Sequence, residues 1–313
     1  MTTQMNLLFP KPDQYLILDW SNFIYRAYYT VNSQKNRESL NNSMNGKNNV
    51  NSRRKVLELL AYMLAKQLKR NPHKTFVALE GNGKEHRQRI LPEYKAQRST
   101  DNEEEILELQ AASLNMLLGT CCEVVRAPEG EADDAIAVIV KRLPRAAAAM
   151  IVSEDRDLWQ LIRGDRIVVH TRRHGRVNES LCEKLSGVKP NRIGCLKAYM
   201  GDTSDNVPRA IPRMRTAHIQ TLAELDELPG RAYKKAAEAK ALSKKVLERI
   251  VKHKEDIKRN FEVVRLRDTL EIQSRSGERS LHEFVEEEQL NIDRDTIALL
   301  TGHQPHESKS EGN

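Results

Sequence analysis

The stretch that decides the fold is EGEADDAIAVIV, residues 129–140. Four carboxylates, Glu129, Glu131, Asp133 and Asp134, fall within six residues, and an apolar run follows with no Lys or Arg between. Acids in the first turn of a helix favour its macrodipole by ~0.3–1 kcal/mol each. Taken alone, the stretch therefore reads as an acid-started helix whose next residues enter a core.

Working outward, short apolar runs recur on both sides. YLILD (15–19) ends in an acid, TFVALE (75–80) does the same, and AMIVS (149–153) runs directly into EDRD; RIVVH (166–170) is a further strand-like run. Helical patterns occupy 53–70, 103–118 and 132–143. Strands alternating with helices predict an α/β fold with a mostly parallel central sheet and helices on both faces. Such sheets bind ligands beyond the carboxyl ends of their strands, which places Asp19, Glu80 and Asp155 on one rim.

The chain has 313 residues, 39% hydrophobic and 30% charged, enough for a sizeable core. No apolar run reaches the ~18 residues of a membrane span. MTTQMNLLFPKPDQ lacks a basic segment followed by an apolar one, so no secretory signal is expected. The cysteines, Cys121, Cys122, Cys182 and Cys195, form no CxxC pair, which argues against zinc and for a reducing compartment, the cytoplasm. The formal charge is +7, and residues 209–259 alone hold 14 Lys or Arg against 7 Asp or Glu. That zone suits a polyanionic partner, although a solvated basic helix face would have the same composition.

Nine acids then stand out: Asp19; Glu80; Glu131, Asp133 and Asp134; Asp155 and Asp157; Asp202 and Asp205. Each cluster alone could be a helix start or a turn. Gathered at one end of a parallel sheet they would repel, at ~4 kcal/mol per pair at ~4 Å and an effective dielectric of ~20. Hard divalent cations relieve this, and two such ions suit phosphodiester hydrolysis.

LILDWSNFIYRAYY, EGEADDAIAVIV, SEDRDLWQLI and LKAYMGDTSDNVP, in that order, resemble the motifs of the 5′ nuclease family. It comprises flap endonucleases, the 5′ nuclease domain of bacterial DNA polymerase I, and phage 5′–3′ exonucleases with ribonuclease H activity; the phage enzymes are the most similar in size. The resemblance runs from about Tyr15 to Leu222. It implies a resolvase-like, PIN-like core, two Mg²⁺ or Mn²⁺ held by the nine acids, and a 5′-flap DNA, 5′-ended DNA or RNA–DNA substrate for a monomeric enzyme. Glu80 stands where bacterial and phage members usually carry Asp, one methylene shorter.

By the same resemblance Tyr25 stacks on a terminal base and Arg26 contacts phosphate. The segment after Glu80, residues 81–105, corresponds to a basic arch over the active site. Its Arg87 and Lys95 match catalytic cations, and Lys84, Arg89 and Arg98 would contact nucleic acid. Next to GDTSDNVP the family carries a helix–three-turn–helix with a Gly-rich hairpin, but RAIPRMR (209–215) has no glycine. Because other residues tolerate positive φ poorly, the usual hairpin and its monovalent cation site are not expected. Arg209, Arg213 and Arg215 would bind phosphate by side chain instead.

The expected organisation is a nuclease core over 1–190, with a flexible insert at 32–52, a helical duplex-binding region over 191–303, and a disordered tail, 304–313. The activity implied is a metal-dependent 5′–3′ exonuclease and flap endonuclease acting in replication. A PIN-like ribonuclease is disfavoured by the basic C-terminal third. A nucleic-acid-binding protein that no longer cleaves is disfavoured by the retained acids.

Overall fold

The computed structural model describes residues 14–39, 49–98 and 102–303. The first half alternates strands and helices: β1 (Gln14–Asp19), α1 (Trp20–Ser39), α2 (Asn49–Leu68), β2 (Lys74–Leu79), α3 (Gly83–Ile90), α4 (Glu103–Leu118), β3 (Glu123–Arg126), α5 (Ala132–Arg142), β4 (Ala148–Val152), β5 (Ile167–Thr171) and β6 (Gly175–Val177). Helices then dominate: α6 (Glu179–Ser186), α7 (Ile193–Met200), α8 (Thr216–Leu225), α9 (Pro229–Glu238), α10 (Lys244–Lys252) and α11 (Lys254–Val264). They are followed by β7 (Gln273–Arg275), α12 (Leu281–Glu287) and α13 (Arg294–Leu300).

The sheet order is β6-β5-β4-β1-β2-β3-β7. The five central strands are parallel, and β6 and β7 close the two edges antiparallel. This is the α/β architecture expected from the sequence. Strand side chains alternate, so Ile17 enters one core while Leu16 and Leu18 enter the other. With both faces buried, the central strands are apolar throughout. The first core takes α5 and the α7–α11 region; the second takes α1, α2, α4, α12 and α13.

One expectation changes. The insert at 32–52 is shorter than read, because α1 continues to Ser39 and α2 starts at Asn49; residues 40–48 lie outside the described part, as does the tail 304–313. An Asn/Ser-rich composition lowers helix propensity without forbidding extension from a buried helix. The C-terminal part of the chain packs onto the core: β7 pairs with β3, and Leu281, Phe284, Leu299 and Leu300 enter the second core. In the α7–α8 connection, Arg213 has a φ of +56°. Among the described residues no helix is long and apolar enough to cross a membrane, and all four cysteines are free thiols.

Candidate metal centre and its cleft

A cleft of about 920 Å³ opens at the carboxyl ends of β1, β2 and β4. Its walls carry Asp19, Glu80, Glu131, Asp133, Asp155, Asp157, Asp202 and Asp205, eight of the nine acids singled out in the sequence. Parallel strands bring them together: Asp19 ends β1, Glu80 follows β2, and Asp155 follows β4. Among the described residues no histidine or cysteine lines the cleft, so the chemistry they offer belongs to carboxylates and cations.

Apart from Glu131, which pairs with Arg87 and Lys95, the acids divide into two sets. Asp19, Glu80, Asp133 and Asp155 form a set with little cationic compensation. Asp19 accepts from Ser153 Oγ at 2.6 Å and from the Asn22 backbone N–H at 3.2 Å. Even so, burial, with repulsion from Glu80 and Asp155, pushes its carboxyl up to about 7. Burial also raises Asp133, with Asp155 and Asp19 adding to the effect. Glu80 is raised by burial and by Glu131. Its Oε2 accepts from the Ala132 backbone N–H at 3.1 Å, so the start of α5 aims it. Asp155 is raised by desolvation within the cleft, opposed by Lys197.

The second set is Asp157, Asp202 and Asp205, each offering an oxygen within 4.8 Å of the others. Lys197, one helical turn before the GDTSD loop, contacts Asp157 and donates to Asp202 Oδ2 at 2.5 Å. Asp202 is desolvated, yet Lys197 and Ser204 hold its carboxyl below the ordinary range. Arg98 donates to Asp205 Oδ1 at 2.8 Å. Both sets suit hard divalent cations, since carboxylate oxygens are their donors. Lys197 was not legible as a site residue, because in LKAYM it reads as an ordinary helix lysine. Replacing Lys197 with Met should tighten Mn²⁺ binding to the metal-free protein about tenfold by removing a like charge from the site. Titration calorimetry reads this, and unchanged or weaker binding would contradict the assignment.

Asp134 does not belong to the cleft, contrary to the sequence expectation. It is fully buried, and Arg87 grips it with Nη1–Oδ2 at 3.0 Å and Nη2–Oδ1 at 2.9 Å. The Arg267 backbone N–H and Nη2 and the Glu131 backbone N–H donate to the same carboxylate. Those bonds consume its acceptor capacity. Arg87 is likewise not a free phosphate ligand: it is 3% exposed, and also donates to Val263 O and Glu131 Oε2, both at 2.9 Å. Glu131 and Asp134 lie one turn apart and face the same guanidinium. Removing a partner from such a pair strands a buried charge, so Arg87→Ala should lose about 3–5 kcal/mol of stability. Urea unfolding tests this; a fully stable variant would show that the buried Arg87 ion pairs add nothing to stability.

The described part of the expected arch is therefore docked. Leu91 and Tyr94 join Val207, Val263 and Val264 in a small core, and α3 ends before Pro92. Lys95, at φ +53°, turns into the cleft and donates to both Glu131 oxygens at 3.0 Å. Tyr94 donates to Glu131 at 2.9 Å and to Asp205 at 3.2 Å. Tyr25 lines the cleft 42% exposed and stacked on Tyr29, so it is not a core aromatic. Arg26 lies over the Phe23 ring, off the cleft wall. Lys84 and Arg89 are exposed on α3, away from the acids, and Arg209, Arg213 and Arg215 are exposed on the α7–α8 connection. Arg156 and Lys197 are cleft cations that the sequence reading missed.

Residues 14–186 match the model of the 5′-3′ exonuclease N-terminal resolvase-like domain. A 5′-3′ exonuclease of Buchnera aphidicola (subsp. Schizaphis graminum) is 26% identical over 66% of this chain and 68% of its own length. The thermostable DNA polymerase I of Thermus thermophilus is 30% identical over 68% of this chain but only 25% of its own length. Among solved structures, the flap endonuclease of bacteriophage T5, in a pseudo-enzyme–product complex with DNA and metal ions, superposes with a TM-score of 0.62. That match covers 88% of this chain and 98% of the other, at 18% identity, and bears on the fold. With more than half its length matched to that model and its acids converging at the mouth of that domain's parallel sheet, the chain belongs to the 5′-3′ exonuclease family.

Proposed function

We propose that this chain hydrolyses phosphodiester bonds at the 5′ end or 5′ flap of DNA or RNA–DNA, as a structure-specific 5′–3′ exonuclease and flap endonuclease using two Mg²⁺ or Mn²⁺ ions. The carrying observation is the convergence of eight carboxylates in one cleft, where burial and mutual repulsion at Asp19 and Asp133 outweigh the nearby protein cations. Asp19, Glu80, Asp133 and Asp155 would hold one ion, and Asp157, Asp202 and Asp205 the other. When bound, such ions neutralise charge at the scissile phosphate and acidify the attacking water.

The chain's own residues do the rest. Ser153 and the Asn22 N–H fix the Asp19 carboxylate, and the Ala132 N–H fixes Glu80. Lys95 and Arg98 stand at the cleft with ammonium and guanidinium groups suited to a phosphate whose charge grows in the transition state. Tyr25 offers an exposed ring for base stacking at the same edge. The basic stretch 209–259 suits duplex phosphate, and primer or flap removal in replication is the corresponding task.

A panel of 5′-labelled substrates tests this reading: flap duplex, nicked duplex, RNA–DNA hybrid and single-stranded RNA. The flap duplex should be cut with Mg²⁺ or Mn²⁺ and left intact in EDTA. Preferential cutting of single-stranded RNA, or undiminished cutting in EDTA, would overturn it.

A further inference from the structure

A second cavity, of about 330 Å³, lies on the other side of Ser21 and Glu80 from the catalytic cleft; those two residues line both. It sits between α1 and α4, over the ends of β2 and β3, and β7 closes it. That volume is at the small end of ligand pockets and is far too small for a duplex.

Its chemistry is mixed in an ordered way. The floor is apolar, formed by Leu79, Leu114, Val124 and the buried indole of Trp20. Gln110 on α4 and Gln273 on β7 supply amide donors and acceptors above it. At the mouth stand two guanidinium groups. The antiparallel register sets Arg126 opposite Gln273 and Val124 opposite Arg275, so all four side chains share one face of the sheet. Arg275 is engaged by Glu278 at 2.5 Å, whereas Arg126 is exposed and has no ion pair among the described residues. An apolar slot, two amides and an unpaired guanidinium complement a planar heteroaromatic ring carrying an anionic group.

We propose that this cavity binds a single nucleotide unit, its base over the apolar floor and its 5′ phosphate at Arg126. The inference goes beyond the cleavage reaction and takes from it only the source of the ligand, which would be either a released nucleoside monophosphate or the first unpaired nucleotide of a strand. Because Ser21 and Glu80 line both cavities, occupancy on one side of that wall would be felt by the acid on the other.

Titration calorimetry in EDTA tests the site whether or not the catalytic cleft cleaves anything. The probes are dAMP and a 5′-phosphorylated single-stranded tetramer. Binding of either is expected, weakened about tenfold or more in Arg126→Ala and abolished in Leu114→Trp, which fills the slot. Arg126 is exposed, so its variant should retain the wild-type melting temperature and keeps the test sound if Leu114→Trp misfolds. Tighter binding of dAMP assigns the cavity to free product, and tighter binding of the tetramer assigns it to a strand end. No binding of either probe, or binding indifferent to Arg126→Ala, overturns the proposal.

Discussion

In Mg²⁺, the Asp133→Asn protein is expected to cut a 5′-flap duplex on the order of a thousandfold more slowly than the parent, while binding that duplex with unchanged affinity. Asp133 lies in the first turn of α5 and faces Asp155, Asp19 and Glu80, so it belongs to the set least balanced by protein cations. The amide keeps the side chain's size and removes its charge, and a neutral oxygen holds a hard divalent ion poorly. The helix should not move, because Ala135, Ile136, Ile139 and Val140 stay anchored in the core. Duplex affinity should persist because it rests on cations elsewhere. Single-turnover cleavage and binding in Ca²⁺ separate the two effects. If affinity falls as far as the rate, Asp133 is a structural residue and the metal assignment is wrong.

The second large effect is on stability. Asp19 is held at about 7 in the folded protein against an ordinary 3.8, burial being the main cause. Between those values the folded chain retains a proton that the unfolded chain has released. Stability then falls as pH rises, by up to about 4 kcal/mol for this group alone. The metal-free protein should therefore melt lower at pH 8 than at pH 5, and Mg²⁺ or Mn²⁺ should raise its Tm more at pH 8. Asp19→Asn should flatten the profile. Differential scanning calorimetry in EDTA and then in metal reads all three, and an identical profile in the parent and Asp19→Asn would remove burial of this carboxylate as the cause.

Much of this was legible early because the signals are local. Apolar runs of strand length, each handing over to an acid, follow from a parallel sheet whose two faces are buried and whose carboxyl edge is functional. The short strands were not legible: EVVR (123–126) has four residues, and GRV (175–177) and QSR (273–275) have three each. They are fixed by neighbours rather than by their own pattern.

The sequence alone determined which residue types were present and in what order: the acids, the basic stretch, the alternation that makes a parallel sheet, and the family to which these belong. Only the tertiary structure decided which carboxylates share solvent and which share a guanidinium. Asp133 and Asp134 are adjacent in the chain, yet successive residues on a helix point about 100° apart. One side chain therefore enters the cleft while the other meets Arg87 and Arg267, which arrive from 47 residues before and 133 residues after. Charge is written in the sequence, but its compensation is a matter of distance, and distance is set by packing.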